Sequence, residues 1–189
     1  IADVGFDLYV RLVGEALAEH KAGAGEGESD VAEVRVELPI TAHLPEEYVP
    51  AERLRLEAYK RLADAHTDTQ VDEVAAELLD RYGTLPPAAQ TLVEVARLRV
   101  HCRQAGVNEV ITQGNGIRLH PVELPESAQM RLTRLYPRTT LKPAVRTIIV
   151  PRPTAGKAIG AAPLQDDELI AWVNELLTVI SGQPSATSA

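Results

Sequence analysis

Apolar residues along this chain recur either every three to four positions or every second one, and the change between the two periods marks out its elements. Phe6, Tyr9, Leu12, Val13, Ala16 and Leu17 share one face of a helix, and nothing adjacent in sequence covers that face. Residues 22–30 are rich in Gly and acid with too little apolar matter to pack, so they read as a flexible linker. Val34 and Val36 then alternate with Arg35 and Glu37 up to Pro39, the pattern of a short half-buried strand.

Three helices are predicted next. Leu54, Ala58, Tyr59, Leu62 and Ala65 carry the first. Thr69 with Asp72 and Glu73 suggests the cap of a second, whose Val71, Val74, Leu78 and Tyr82 face inward until Gly83 ends it. Pro86-Pro87 opens a third, which runs through Leu92, Val95, Leu98 and Cys102 to Gly106. Val107 to Thr112 and Ile117 to Val122 read as strands joined through Gln113-Gly114-Asn115-Gly116, because Asn and Gly tolerate the positive φ of hairpin turns. A short helix through Ala128, Leu132 and Leu135 closes at Pro137, and 139–141 and 147–150 are strand candidates. A Pro/Gly-rich loop precedes a last helix with Leu169, Ile170, Val173, Leu176, Leu177 and Ile180 on one stripe and Asp166-Asp167 at its positive end.

Strands and helices do not alternate as βαβ units. The fold class expected is therefore α+β: a small antiparallel or mixed sheet packed with several helices, preceded by a separate amphipathic helix. The domain reading is a helix over 1–21, a linker over 22–30, a folded domain over 31–181 and a disordered tail over 182–189.

Composition adds two constraints. An apolar share of 45% supports a core, while an aromatic share of 4% leaves it to Leu, Val, Ile and Ala. Cys102 is the single cysteine, so no internal disulfide can form; no apolar run has membrane-spanning length, and the chain is expected to be cytoplasmic. The chain opens at Ile1 rather than Met, and residues 1–17 already read as the middle of something, so it is expected to be a fragment.

Charge is unevenly spread. Residues 1–126 carry 12 Lys/Arg against 23 Asp/Glu, residues 127–165 carry seven Lys/Arg and no acid, and the net charge is −8. Most of the surface would repel a phosphate backbone. Only the strip from Arg131 through Arg134, Arg138, Lys142, Arg146 and Arg152 to Lys157 suits nucleic acid, and Tyr136 is the one aromatic residue within it, which serves base stacking poorly. The alternative for this strip is a solvated face.

No catalytic constellation is visible. Gly156-Lys157-Ala158 lacks the leading Gly and the hydroxyl of a phosphate loop. His20, His43, His66, His101 and His120 are scattered without zinc-ligand spacing, and Cys102 falls on an apolar helical stripe without a base. No cofactor or metal is expected for this chain. Acidic pairs such as Glu77 with Asp80 are either solvated faces or a patch for a basic protein partner.

Particular strings narrow the reading. Val4-Gly5-Phe6-Asp7-Leu8-Tyr9, Glu37-Leu38-Pro39, Val49-Pro50-Ala51-Glu52-Arg53, Glu57-Ala58-Tyr59-Lys60-Arg61-Leu62 and Glu77-Leu78-Leu79-Asp80-Arg81-Tyr82-Gly83-Thr84-Leu85-Pro86 resemble, in order and spacing, the C-terminal end of the bacterial transcription-repair coupling factor (Mfd) family. The resemblance runs from residue 1 to about residue 180. It implies a parent that is an ATP- and Mg-dependent double-stranded-DNA translocase with a RecG-like motor, displacing stalled RNA polymerase and recruiting UvrA. It further implies that residues 1–21 pack on that motor through Phe6, Tyr9, Leu12 and Val13. The rest would be a non-catalytic domain that docks on the parent's N-terminal UvrB-like module and hides its UvrA-binding surface. The docking residues it implies are Glu77 and Asp80, with Glu73 one turn earlier on the same helix. Arg131, Arg134 and Arg138 are the candidates for the alternative, nucleic-acid contact. No membrane association is implied.

Overall fold

A computed structural model describes residues 34–156 and 161–182. The expected helix over 1–21, with Phe6, Tyr9, Leu12 and Val13, the linker over 22–30, Lys157 and the tail from residue 183 lie outside the described residues. The described residues form two compact units: Thr41–Arg97, and Val34–Ile40 together with the described residues from Leu98 onward.

The first unit is helical. Helix α1 covers Glu52–Asp64 and α2 covers Asp68–Tyr82, and their inward residues are Ala58, Tyr59 and Leu62 on α1 and Val71, Val74 and Leu78 on α2. Helix α3, Pro87–Ala105, gives its first half to this unit. Its Ala89, Leu92, Val93, Val95 and Ala96 are all buried, so the helix is apolar nearly all round there. The loop before α1 is tied down by two tyrosines. The Leu44 N–H donates to the Tyr59 hydroxyl at 2.7 Å, and the Tyr48 hydroxyl lies 2.8 Å from the Gly83 carbonyl and 3.0 Å from that of Leu78, at the end of α2.

The cap of α2 differs from the expected one. Thr67, not Thr69, is the N-cap: its Oγ1 accepts the Gln70 N–H at 3.3 Å, and the Gln70 side chain accepts the Thr67 N–H at 3.3 Å. A Thr69 cap would need Asp72 as its reciprocal acceptor, and the Asp72 carboxylate instead faces Arg97.

The second unit is built on a five-stranded mixed sheet. Its strands are β1 (Arg35–Glu37), β2 (Glu109–Gln113), β3 (Gly116–His120), β4 (Thr140–Lys142) and β5 (Thr147–Pro151), in the order β1-β2-β3-β5-β4. Only β1 and β2 run parallel. The hairpin β2–β3 pairs Gln113 with Gly116 across Gly114-Asn115, and Gly114 takes φ +58. Helices α4 (Glu126–Leu135) and α5 (Asp166–Ser181) supply Leu132 and the stripe Leu169, Ile170, Val173, Leu176 and Leu177 to the core. These join Val110, Ile117, Leu119, Ile148 and Val150 from the sheet. The expected α+β class with a mixed sheet is what the chain adopts.

Candidate docking face on α2

An α-helix packed on one side offers its other side to solvent, and on α2 that side carries Thr69, Asp72, Glu73, Ala76, Leu79 and Asp80. All six are exposed. Glu77 sits on the flank nearest α1. Its carboxylate receives the Arg61 guanidinium from α1 and that of Arg81, 3.2 Å away on the next turn of its own helix. The hydrogen bond from Arg61, helped by the positive charge of Arg61 and Arg81, holds the Glu77 carboxyl below the usual carboxylate range, against a smaller opposing effect of burial. The Asp72 carboxylate pairs with Arg97 at 2.9 Å.

The three carboxylates singled out in the sequence thus part company. Glu77 is committed within the fold, while Glu73 and Asp80 have no ion-pair or hydrogen-bond partner among the described residues. On the same side of the helix Leu79 keeps 51% of its surface exposed, one of few large apolar side chains among the described residues to do so. An uncovered leucine on the same exposed side as two unpaired carboxylates is the composition of a protein contact with a charged rim.

The basic strip is split in a similar way. Arg131 and Arg134 project from α4 and are exposed. The sequence spacing carries the same helical face on to Arg138, but α4 ends at Leu135, and Arg138 sits in the following turn with φ +69. Arg146 pairs with Glu123 at 3.4 Å, and Arg152 donates to the Leu164 carbonyl at 3.3 Å. Arg131, Arg134, Arg138 and Lys142 have no carboxylate partner among the described residues. Tyr136 is withdrawn from the strip: its ring meets Trp172 edge-on at 5.5 Å, and burial raises its phenol, with Glu175 adding to the effect. A depression of about 360 Å³ on the sheet is lined by Lys142, His120 and Arg118, and Arg118 is spent on Glu109 at 2.6 Å.

Cys102 is fully buried, and loss of solvation pushes its thiol up to about 12 despite the opposing charges of Arg99 and Arg103. Its neighbour His101 turns to Asn174 on α5, with Nδ1 2.9 Å from Oδ1. Among the described residues no cluster of three or more His, Cys, Asp or Glu is placed to hold a metal ion, and no helix is long and apolar enough to cross a membrane. One buried charge escaped the sequence reading: Arg99 on α3 is only 2% exposed.

These features describe an α+β domain that exposes unpaired carboxylates on one helix and unpaired guanidinium groups on another. Comparison with known proteins places it further. The TRCF domain profile matches residues 38–132, about half of the chain. A transcription-repair-coupling factor of Mycobacterium tuberculosis is 45% identical over 193 residues, and one of Staphylococcus aureus (strain USA300) is 37% identical over 120. The first alignment covers 97% of this chain but 16% of the relative, and the second covers 64% and 10%. The chain therefore spans only a small part of the length of the curated relatives it matches. A crystal structure of the C-terminal domain of a transcription-repair coupling factor has the same fold, with a TM-score of 0.60 at 17% identity, over 81% of this chain and 97% of that one. The chain belongs to the transcription-repair-coupling-factor family, whose name joins transcription to DNA repair, and it carries the fold of that family's C-terminal domain.

Proposed function

We propose that this domain is a non-catalytic brake within a longer parent protein. In this reading the parent is an ATP- and Mg-dependent double-stranded-DNA translocase that displaces stalled RNA polymerase and recruits UvrA. The domain docks on the parent's N-terminal UvrB-like module and covers the UvrA-binding surface until the motor engages DNA. Residues 1–21 pack on the motor through Phe6, Tyr9, Leu12 and Val13.

The observation that carries the reading is the state of the α2 face. Glu73 and Asp80 share the solvent side of α2 with the exposed Leu79 and have no partner among the described residues, so they are available to a basic, partly apolar surface. Glu77 serves that face from within. Its carboxylate is taken up by Arg61 and Arg81, which leaves Asp80 as an unpaired acid on the solvent side.

The test is removal of residues 31–180 from the parent, which is expected to raise UvrA affinity. Reversal at Glu73 and Asp80, leaving Glu77 intact, is expected to reproduce most of that gain. Unchanged UvrA affinity in a folded deletion variant would sink the reading.

A further inference from the structure

The two compact units carry opposite charge. Thr41–Arg97 holds eleven Asp/Glu against six Lys/Arg, a net −5, whereas the described residues of the other unit hold ten Lys/Arg against eight Asp/Glu, a net +2. Within each, charge collects on one helical face that also exposes large apolar side chains. On α2 these are Glu73, Leu79 and Asp80; on α4 they are Met130, Arg131, Arg134 and Leu135. Leu79 is 51% exposed, Met130 66% and Leu135 52%, values that leave both faces uncovered.

We infer that the α4 face is a docking site for the α2 face of a second copy of this chain, in a head-to-tail arrangement. Arg131 and Arg134 lie one turn apart, as do Met130 and Arg134, so cations and apolar groups are interleaved on a single helix surface. The α2 face answers with carboxylates at Glu73 and Asp80 and the apolar Leu79 beside Asp80 in sequence. A nucleic-acid duplex fits α4 less well. Phosphates give Met130 and Leu135 nothing apolar to cover them, and Tyr136, the one aromatic residue within the basic strip, is engaged with Trp172. Because the donor and acceptor faces differ, each copy keeps one of each free, and association extends as an open chain or closes as a ring. The docking proposed above would occupy the α2 face and so exclude this contact, but the inference does not depend on that docking.

Two helical faces bury less than the roughly 1,200 Å² of a stable interface, so the dissociation constant is expected on the order of 10–100 μM. Sedimentation of the chain over a concentration series at 50 mM NaCl should show association, and 500 mM NaCl should weaken it at least about tenfold, as expected of exposed charges. The double variants Arg131→Glu/Arg134→Glu and Glu73→Arg/Asp80→Arg, each shown by circular dichroism to be folded, should each sediment as monomers alone. Mixed in equal amounts they should associate again, since one supplies an intact α2 face and the other an intact α4 face. Monomeric wild-type chain at 200 μM, association surviving in either variant, or a mixture that stays monomeric would each overturn the inference. So would salt-sensitive retention of a 30-base-pair duplex that is lost in Arg131→Glu/Arg134→Glu while the chain alone remains monomeric, because α4 would then be a nucleic-acid face.

Discussion

Glu77 on α2 is joined to Arg61 on α1, and this ion pair, with Arg81 closing it from the other side, ties together the outer surfaces of two helices whose inner surfaces are already packed. The pair divides the roles of neighbouring carboxylates. Glu77→Gln should lower the stability of the chain by about 0.5–1 kcal/mol, the ordinary worth of a networked surface pair. Asp80→Asn should leave stability within about 0.5 kcal/mol, since no contact of its side chain is lost. Binding to the parent's isolated N-terminal module should respond in the opposite order, with Asp80→Lys weakening it at least tenfold. Chemical denaturation of the three variants beside one binding titration separates these effects, and equal behaviour of Glu77 and Asp80 would contradict the division.

The same network makes stability depend on pH. The folded-state pKa of Glu77 lies below its unfolded value, so the folded chain binds that proton less readily than the unfolded one. The contribution is complete above the unfolded pKa, near the model-compound value of 4.5, and is lost as pH falls through the lower folded pKa. The denaturation midpoint of the wild-type chain should therefore fall more steeply below about pH 4.5 than that of Glu77→Gln. The two curves should converge at the acid end.

Most of this architecture is legible in the sequence because the periods of its elements are clean. The β2–β3 hairpin, α3 from Pro87 and the α5 stripe are each specified locally, by turn residues, a helix-starting proline and uninterrupted apolar spacing. Pairing between distant segments is not specified locally, so the parallel placement of β1 beside β2 and the excursion of the helical unit between them have no local signal. Residue type alone did not separate Glu77 from Asp80. Both are acids on one helix, and only the approach of α1 decides which of them Arg61 takes. Arg99 gave a faint signal, lying between Leu98 and Val100 in a helix otherwise apolar on most sides.

Gly116 shows how tightly the sheet is closed. A Cβ there would stand 2.8 Å from Ile149 Cγ2 and 3.1 Å from the Val150 carbonyl, and its φ is not in the left-handed region, so the constraint is space rather than backbone conformation. Gly116→Ala should cost about 1–3 kcal/mol, the usual penalty for forcing an atom into a packed site. Ile149→Ala removes the side chain that would clash and should recover part of that loss in the double variant, leaving the contact with the Val150 carbonyl. Thermal melting of the two single variants and the double gives the coupling directly. Simple additivity would mean that the clash is relieved elsewhere.

Cys102 tests whether the second unit opens as a whole. Its thiol is fully buried and pushed up to about 12, so at pH 8 it presents neither a thiolate nor an exposed sulfur. Modification by a thiol reagent such as Ellman's should then require unfolding, and the rate should track the unfolding equilibrium as denaturant is added. A destabilised variant such as Leu132→Ala, expected to lose about 2–5 kcal/mol from a fully buried position on α4, should raise the labelling rate in proportion. Glu77→Gln, which weakens the other unit, should raise it equally for equal loss of stability if both units unfold together, and much less if the sheet unit survives alone. Because α3 runs from one unit into the other and carries Cys102 in its second half, joint unfolding is the expected result. Rapid labelling of the wild-type chain in the absence of denaturant would show that the helix end around Cys102 frays independently of the core.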